Sequence, residues 1–204
     1  MYIAVINYNM GNISSVENAL KSQGAKVRVT SDAGVIRGAA GVVLPGVGAF
    51  SDAMANLGIL GLEDTIRQAT RNQPFLGICL GMQLLFDYSF EDGKTKGLGV
   101  FAGTVERIPA VVKVPHMGWN NINMVRPDPL LENLDLNQYF YFVHSYHVVP
   151  EDKSLIASTT GHGIEMVAGI YREKVHAFQF HPEKSSVCGL KVLKNFINLT
   201  RKDK

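Results

Sequence analysis

The sequence predicts an α/β protein: a central, mostly parallel sheet flanked by helices, with an antiparallel β extension. Two observations carry this. In the first half, short unbroken apolar runs alternate with helical text, the pattern of a parallel sheet wound by crossover helices. In the second half, short strand-type runs follow one another without long helices between them, as in antiparallel β structure.

Tyr2–Ile6 is the first apolar run and reads as a strand covered on both faces. Asn7–Gly11 is a loop, and a helix follows from Asn12 with Ile13, Val16 and Leu20 on one face, ending at Gly24. Val27 and Val29 mark a second strand, and Gly41–Leu44 a third that stops at Pro45-Gly46-Val47-Gly48. Helical text runs from Ser51 to about Arg71, broken near Gly58, and Phe75–Ile78 is the fourth strand. From Met82 to Phe86 the text reads as an apolar helix start, and the Gly-rich stretch from Glu91 to Gly99 as a connector. Strands are then expected at Gly103–Ile108, Asn120–Val125, Gln138–Val143, Leu155–Thr159, Met166–Tyr171 and Val175–Phe180. A closing helix of about fifteen residues begins near Gly189, with Leu190, Leu193, Phe196 and Ile197 on one face and a solvated end at 201–204. Residues 1–204 show no repeat and no linker and read as one domain.

Composition narrows the function classes. A net charge of +2 is too small to point to nucleic acid or an anionic membrane as main partner. The two cysteines, Cys79 and Cys188, form no disulfide framework and no metal-type spacing, so no metal and no cofactor are expected. Nothing resembles a signal peptide or a bilayer span, and the expected compartment is the cytoplasm, with reduced thiols.

Chemistry concentrates at strand ends. Gly77-Ile78-Cys79-Leu80-Gly81 fits a Gly-x-nucleophile-x-Gly elbow between a strand and a helix. Such a turn presents the thiol at a helix N-terminus, where unpaired N–H groups favour a thiolate, and leaves the Leu80 N–H to bind an oxyanion. Taken alone, the motif fits a buried structural cysteine equally well. His181-Pro182-Glu183 follows the last strand: Glu183, two residues on in extended backbone, points to the same side as His181 and accepts from one ring nitrogen while the other faces Cys79. By itself this tripeptide is a surface turn. Together with the Cys79 elbow it makes a Cys-His-Glu triad the favoured reading. Pro45-Gly46-Val47-Gly48 allows the Val47 or Gly48 N–H to join that of Leu80 in an oxyanion hole, and a Gly-rich turn is the plainer alternative. Gln83, on the first helical turn after Cys79, and the strand end Phe142–Tyr146 supply polar groups for a small substrate, or are ordinary surface. His144 and His147 read as structural, and Trp119 as core or interface.

Gly77–Gln83 together with Phe178–Glu183 resembles the class I (triad) glutamine amidotransferases. Pro45–Phe50, Val114–Asn120, Tyr141–Tyr146 and His181–Ser185 narrow the likeness to the glutaminase subunits of imidazole glycerol phosphate synthases, over residue 1 to about 200. The first loop, Asn7-Tyr8-Asn9, departs from the acidic or small residue and the glycine usual there. The resemblance implies a class I glutamine amidotransferase-like fold and a cytoplasmic enzyme of histidine biosynthesis. It would hydrolyse L-glutamine through a Cys79 thioester, with Cys79, His181 and Glu183 catalytic, Val47, Gly48 and Leu80 at the oxyanion, and Gly48, Gln83, Ser145 and Tyr146 at glutamine. It further implies a heterodimer whose other member is a (β/α)₈-barrel cyclase, met by Asn12, Trp119, Tyr141 and Lys184. The cyclase would use the ammonia to form imidazole glycerol phosphate and an aminoimidazole carboxamide ribotide. Two alternatives stay open: a paralogous glutaminase feeding another synthase, as in sugar amidation, and a non-catalytic glutaminase-like module, which would be expected to lack one of Cys79, His181 and Glu183.

Overall fold

The first half winds as its pattern predicts. In the computed structural model, which describes residues 1–134 and 138–202, β1 (Ile3–Ile6), β2 (Val27–Thr30), β3 (Gly41–Leu44) and β4 (Phe75–Ile78) are parallel and stand in the order β2-β1-β3-β4. The crossovers carry α1 (Ile13–Ser22), α2 (Ala33–Arg37), α3 (Phe50–Ile59) and α4 (Glu63–Asn72). Alternate residues of β1 feed two cores. Ile3 and Val5 face α1 and the C-terminal helix, whereas Ala4 and Ile6 face the side of α3 and α4. Burial on both faces is why the run is apolar throughout. The break expected near Gly58 falls three residues later, at Gly61, whose φ of +63° lets the chain leave α3. The short α2 carries too few residues to show a period; Asp32 caps it, accepting from the Val35 N–H at 2.8 Å.

The second half departs more from expectation. After Cys79 comes α5 (Leu80–Gln83), a single turn, and the apolar text up to Phe86 does not continue it. The carbonyls of Leu84 and Leu85 accept instead from Leu98, Val100 and Phe101, and Phe86 opens β5 (Phe86–Ser89). The connector at Glu91–Gly99 holds a two-residue strand, β6 (Thr95–Lys96). With β7 (Phe101–Arg107) and β11 (Tyr146–Pro150) these form a separate sheet ordered β11-β7-β5-β6. The strand expected at Asn120–Val125 is two pieces: β8 (His116–Asn120) pairs with β10 (Phe140–His144), and β9 (Asn123–Met124) joins the main sheet. The chain does not leave the β structure at Tyr146, because β11 begins there.

β12 (Ile156–Gly161), β13 (Glu165–Arg172) and β14 (Val175–Phe178) complete the eight-stranded main sheet, β2-β1-β3-β4-β14-β13-β12-β9. β14 is parallel to β4, and the strands beyond it are antiparallel, the predicted extension. The closing helix α6 (Ser186–Lys202) starts three residues before Gly189 and lays Val192, Leu193, Phe196 and Ile197 into the core shared with α1. Of the expected solvated end, 203–204 lie outside the described residues. The pairing of β4 with β14 matters most, because it sets the residues after Ile78 beside those after Phe178.

Candidate active site

Cys79 turns the chain out of β4 with φ +53° and ψ −110°, a conformation costly for a residue with a side chain. The surroundings hold it there. Its N–H donates to the Phe178 carbonyl at 2.8 Å, and its own carbonyl accepts from Met82 and Gln83 at 3.0 and 3.3 Å. The elbow also needs its glycines. A Cβ on Gly81 would drive into the Leu44 carbonyl, and one on Gly77 would meet the Ala177 Cβ and the Gly81 carbonyl, both at 3.0 Å. Because α5 is four residues long, its macrodipole is small. What the turn offers an anion is local, above all the Leu80 N–H, which opens the helix and has no intrahelical acceptor.

His181 lies just beyond β14 and is buried. Its N–H donates to the Tyr141 carbonyl at 2.9 Å, and its carbonyl accepts from the Ser185 hydroxyl at 2.6 Å. Nδ1 stands 2.8 Å from Oε1 of Glu183, with the two side chains 2% and 1% exposed. The pair forms by a different route from the extended one expected: Pro182–Lys184 is a single 3-10 turn, which folds Glu183 back under the ring. A carboxylate accepts only, so Nδ1 carries a hydrogen, and Nε2 is the ring atom left to exchange a proton with Cys79. Nε2 is buried and makes no fully aligned hydrogen bond among the described residues, yet Cys79 interacts with the ring. Burial by itself lowers the imidazole pKa. Hydrogen bonding and charge from Cys79 and Glu183 outweigh it and push the group up to about 10.

Val47, Gly48, Leu80, Gln83, Ser145 and Tyr146 all line one cavity of about 310 Å³ together with Cys79. Pro45–Gly48 lies directly on the elbow: a Cβ on Gly46 would stand 2.7 Å from the Tyr8 hydroxyl and 2.8 Å from the Leu80 Cβ. Gly48 itself takes φ +103°. The Gln83 amide donates to the Tyr146 carbonyl at 3.0 Å and to Oε1 of Gln179 at 3.1 Å.

Three residues around this cavity escape a reading by motif. Glu91 lines it from the Gly-rich connector, and its Oε2 accepts from the Phe50 N–H at 2.9 Å; burial foremost holds its carboxyl above the ordinary range. Tyr8 donates to the Pro45 carbonyl, and Gln179 donates to Sγ of Cys79 at 3.5 Å. Only Gln179 left a trace in the sequence, as the lone polar residue between Phe178 and Phe180. His144, read as structural, sits in a chain of neutral rings: Asn120 to His116, His116 Nδ1 to His144 Nε2 at 3.0 Å, His144 Nδ1 to the Tyr146 carbonyl. Burial, the main cause, lowers His116 to about 4 and His144 to about 3.

The remaining candidates lie on β8, on β10, in the Pro182–Lys184 turn and at the start of α1. Trp119, 54% exposed on β8, stands opposite Tyr141 of β10, ring edge to ring face with centroids 6.0 Å apart. The Lys184 ammonium lies 5.8 Å from the centre of the Tyr141 ring. Asn12 precedes α1, which packs on the Pro182–Lys184 turn. Cys188 and Cys79 are both free thiols, and no helix among the described residues is long and apolar enough to cross a membrane.

Known proteins resemble the chain over nearly its whole length. The family model for class-I glutamine amidotransferases matches residues 4–199. Imidazole glycerol phosphate synthase subunit HisH of Moorella thermoacetica is 52% identical over 200 residues, 98% of this chain and 95% of its own. Subunit HisH 1 of Methanococcus maripaludis is 48% identical over 201 residues, 97% and 99% of the two chains. Among solved structures, a putative GMP synthase protein of Thermoplasma acidophilum superposes with a TM-score of 0.76 at 19% identity, covering 100% of this chain and 95% of that one. A glutamine amidotransferase superposes at 0.74 and 19%, covering 98% and 100%.

Proposed function

Because the chain belongs to the class-I glutamine amidotransferase family, we propose that it is the glutaminase subunit of an imidazole glycerol phosphate synthase, acting as one amidotransferase domain. The observation that carries the chemistry is the buried His181–Glu183 pair, with Nε2 otherwise unused and Cys79 acting on the ring. The relatives' names, at about half-identical sequence over nearly whole chains, support the pathway.

In this reading Nε2 of His181 takes the Cys79 proton, and Sγ attacks the side-chain amide carbon of L-glutamine. The amide oxygen becomes an oxyanion held by the N–H groups of Leu80 and of Val47 or Gly48. The imidazolium, stabilised by Glu183, protonates the leaving nitrogen, the C–N bond breaks and ammonia departs from a Cys79 thioester. Water then gives a proton to His181, its oxygen adds to the thioester carbon, and glutamate leaves as Sγ is restored. Gln83, Ser145, Tyr146 and the Gly48 backbone hold the amino-acid end of the substrate. Glu91, the one acidic side chain lining the cavity among the described residues, faces its ammonium. Ammonia passes to a (β/α)₈-barrel cyclase subunit bound over Asn12, Trp119, Tyr141 and Lys184, in the cytoplasm.

The test is glutamine-dependent formation of imidazole glycerol phosphate after mixing the purified chain with a histidine-pathway cyclase. Cys79→Ala should remove that activity while leaving turnover with added ammonium salts intact. Full glutamine turnover by folded Cys79→Ala protein would refute the scheme.

A further inference from the structure

Two groups touch the sulfur and have no part in that scheme: the Val143 carbonyl at 4.0 Å, which only accepts, and the Gln179 amide. Gln179 is fully buried just past the end of β14, its N–H donates to the Ala168 carbonyl at 2.9 Å, and its side-chain Nε2 lies 3.5 Å from Sγ of Cys79. We propose that Gln179 is the hydrogen-bond donor that holds the Cys79 sulfur in its reactive anionic form, and that Gln83 keeps it facing that way. The inference rests on Cys79 being the nucleophile.

Which end of the Gln179 amide faces the sulfur follows from its partners. The Tyr146 carbonyl is backbone and only accepts, so the Gln83 group 3.0 Å from it is the NH₂. That same NH₂ lies 3.1 Å from the second amide, which must therefore present its oxygen, Oε1 of Gln179. The NH₂ of Gln179 is then left at the sulfur. Turning Gln179 over would set donor against donor; turning Gln83 as well would set its oxygen against the Tyr146 carbonyl. His144 donates to the same carbonyl from Nδ1 at 2.9 Å and so holds the anchor of the chain. Gln179 is fully buried, so bulk water does not compete for its NH₂, and such a donor is worth more to an anion than the same bond at the surface. The charged and titratable groups that act on this sulfur besides Gln179 are His181 and Tyr8.

The experiment is alkylation of Cys79 by iodoacetamide across pH 5–10, followed by mass spectrometry of the peptide carrying Cys79, so that Cys188 does not contribute. In Gln179→Met, which keeps length and burial but has no donor, the rate at pH 7 should fall about tenfold and the profile should move to higher pH. Gln179→Glu is the second variant: it preserves the acceptor for Gln83, removes the NH₂, and should slow alkylation at least as much once its carboxyl ionises. Profiles of the folded variants that superpose on that of the unaltered protein overturn the proposal. Iodoacetamide takes no part in glutamine turnover, so the two readings fail separately. Displaced profiles in a chain that does not turn over glutamine would count against the function alone. Superposed profiles beside full glutamine turnover would count against the role of Gln179 alone.

Discussion

The Tyr8 hydroxyl donates to the Pro45 carbonyl at 2.8 Å, tying the loop after β1 to the loop after β3. Both residues are buried, and burial foremost, then the charge of Cys79, raises the Tyr8 pKa far above its ordinary value, so the phenol remains a donor. The bond sets the height of Gly46–Gly48 over the elbow, where the second oxyanion donor is expected. Tyr8→Phe leaves the Pro45 carbonyl buried without a partner, a loss of about 1–3 kcal/mol in stability. It should also lower kcat for glutamine about tenfold or more, with a smaller change in KM, because a loosened donor is lost mainly to the transition state. Denaturant melts and steady-state glutaminase kinetics check both; an unchanged kcat in a folded variant would show that Tyr8 does not position the loop.

His181 gives a pH dependence of known sign. Its folded pKa of about 10 lies above the ordinary 6.5. Its stabilising contribution is therefore fully present below about pH 6.5 and is lost as pH rises through about 10. The stability difference between the unaltered protein and His181→Gln should shrink between pH 6 and pH 10. Since Cys79 is the first of the two partners raising it, the ring in Cys79→Ala should titrate at lower pH than in the unaltered protein, as read by NMR. An equal or higher value would mean that Glu183 alone sustains the imidazolium.

What was legible in the sequence was whatever burial or local spacing writes into neighbouring residues. The unbroken runs of β1, β3 and β4 are apolar because both faces are covered, and the elbow glycines stand beside the Cys79 they serve. Glu183 was found by spacing, although a 3-10 turn and not an extended strand brings it to His181. Tyr8, Glu91 and Gln179 were not found, because each acts on a partner 37, 41 or 100 residues away. The same holds for Leu84–Phe86, which read as a continued helix although Leu98–Phe101 claims the carbonyls of Leu84 and Leu85. Nonlocal pairing overrides local pattern there.

Ser185 supports the base from below. Its hydroxyl donates to the His181 carbonyl at 2.6 Å and accepts from the Tyr141 N–H at 2.9 Å, and the residue is fully buried. Ser185→Ala strands the Tyr141 N–H and removes one of the two bonds to the His181 carbonyl, which keeps that of the Lys184 N–H, an expected loss of about 1–3 kcal/mol. The variant should also turn over glutamine more slowly, because the turn that sets the His181 ring then keeps only the His181 N–H bond to the Tyr141 carbonyl as its tie to β10. A melting temperature equal to that of the unaltered protein would show that water or a shifted backbone replaces both bonds.

Trp119 and Lys184 test the proposed docking surface without touching the chemistry. Trp119 is half exposed, and its ring contact is with Tyr141, over which Lys184 also lies. An aromatic strip with a cation on it is the kind of anchor that dominates binding when a partner desolvates it. Trp119→Ala should change the stability of the isolated chain by about 0.5 kcal/mol or less, as exposed sites do. It should weaken binding to the proposed cyclase partner by about 2 kcal/mol, roughly thirtyfold. Calorimetric titration of the cyclase into each form measures the loss directly. Glutamine-dependent product formation should fall at limiting cyclase and recover as cyclase is added, while turnover with ammonium salts stays constant. An unchanged dissociation constant for both Trp119→Ala and Lys184→Ala would place the cyclase on another face of the molecule.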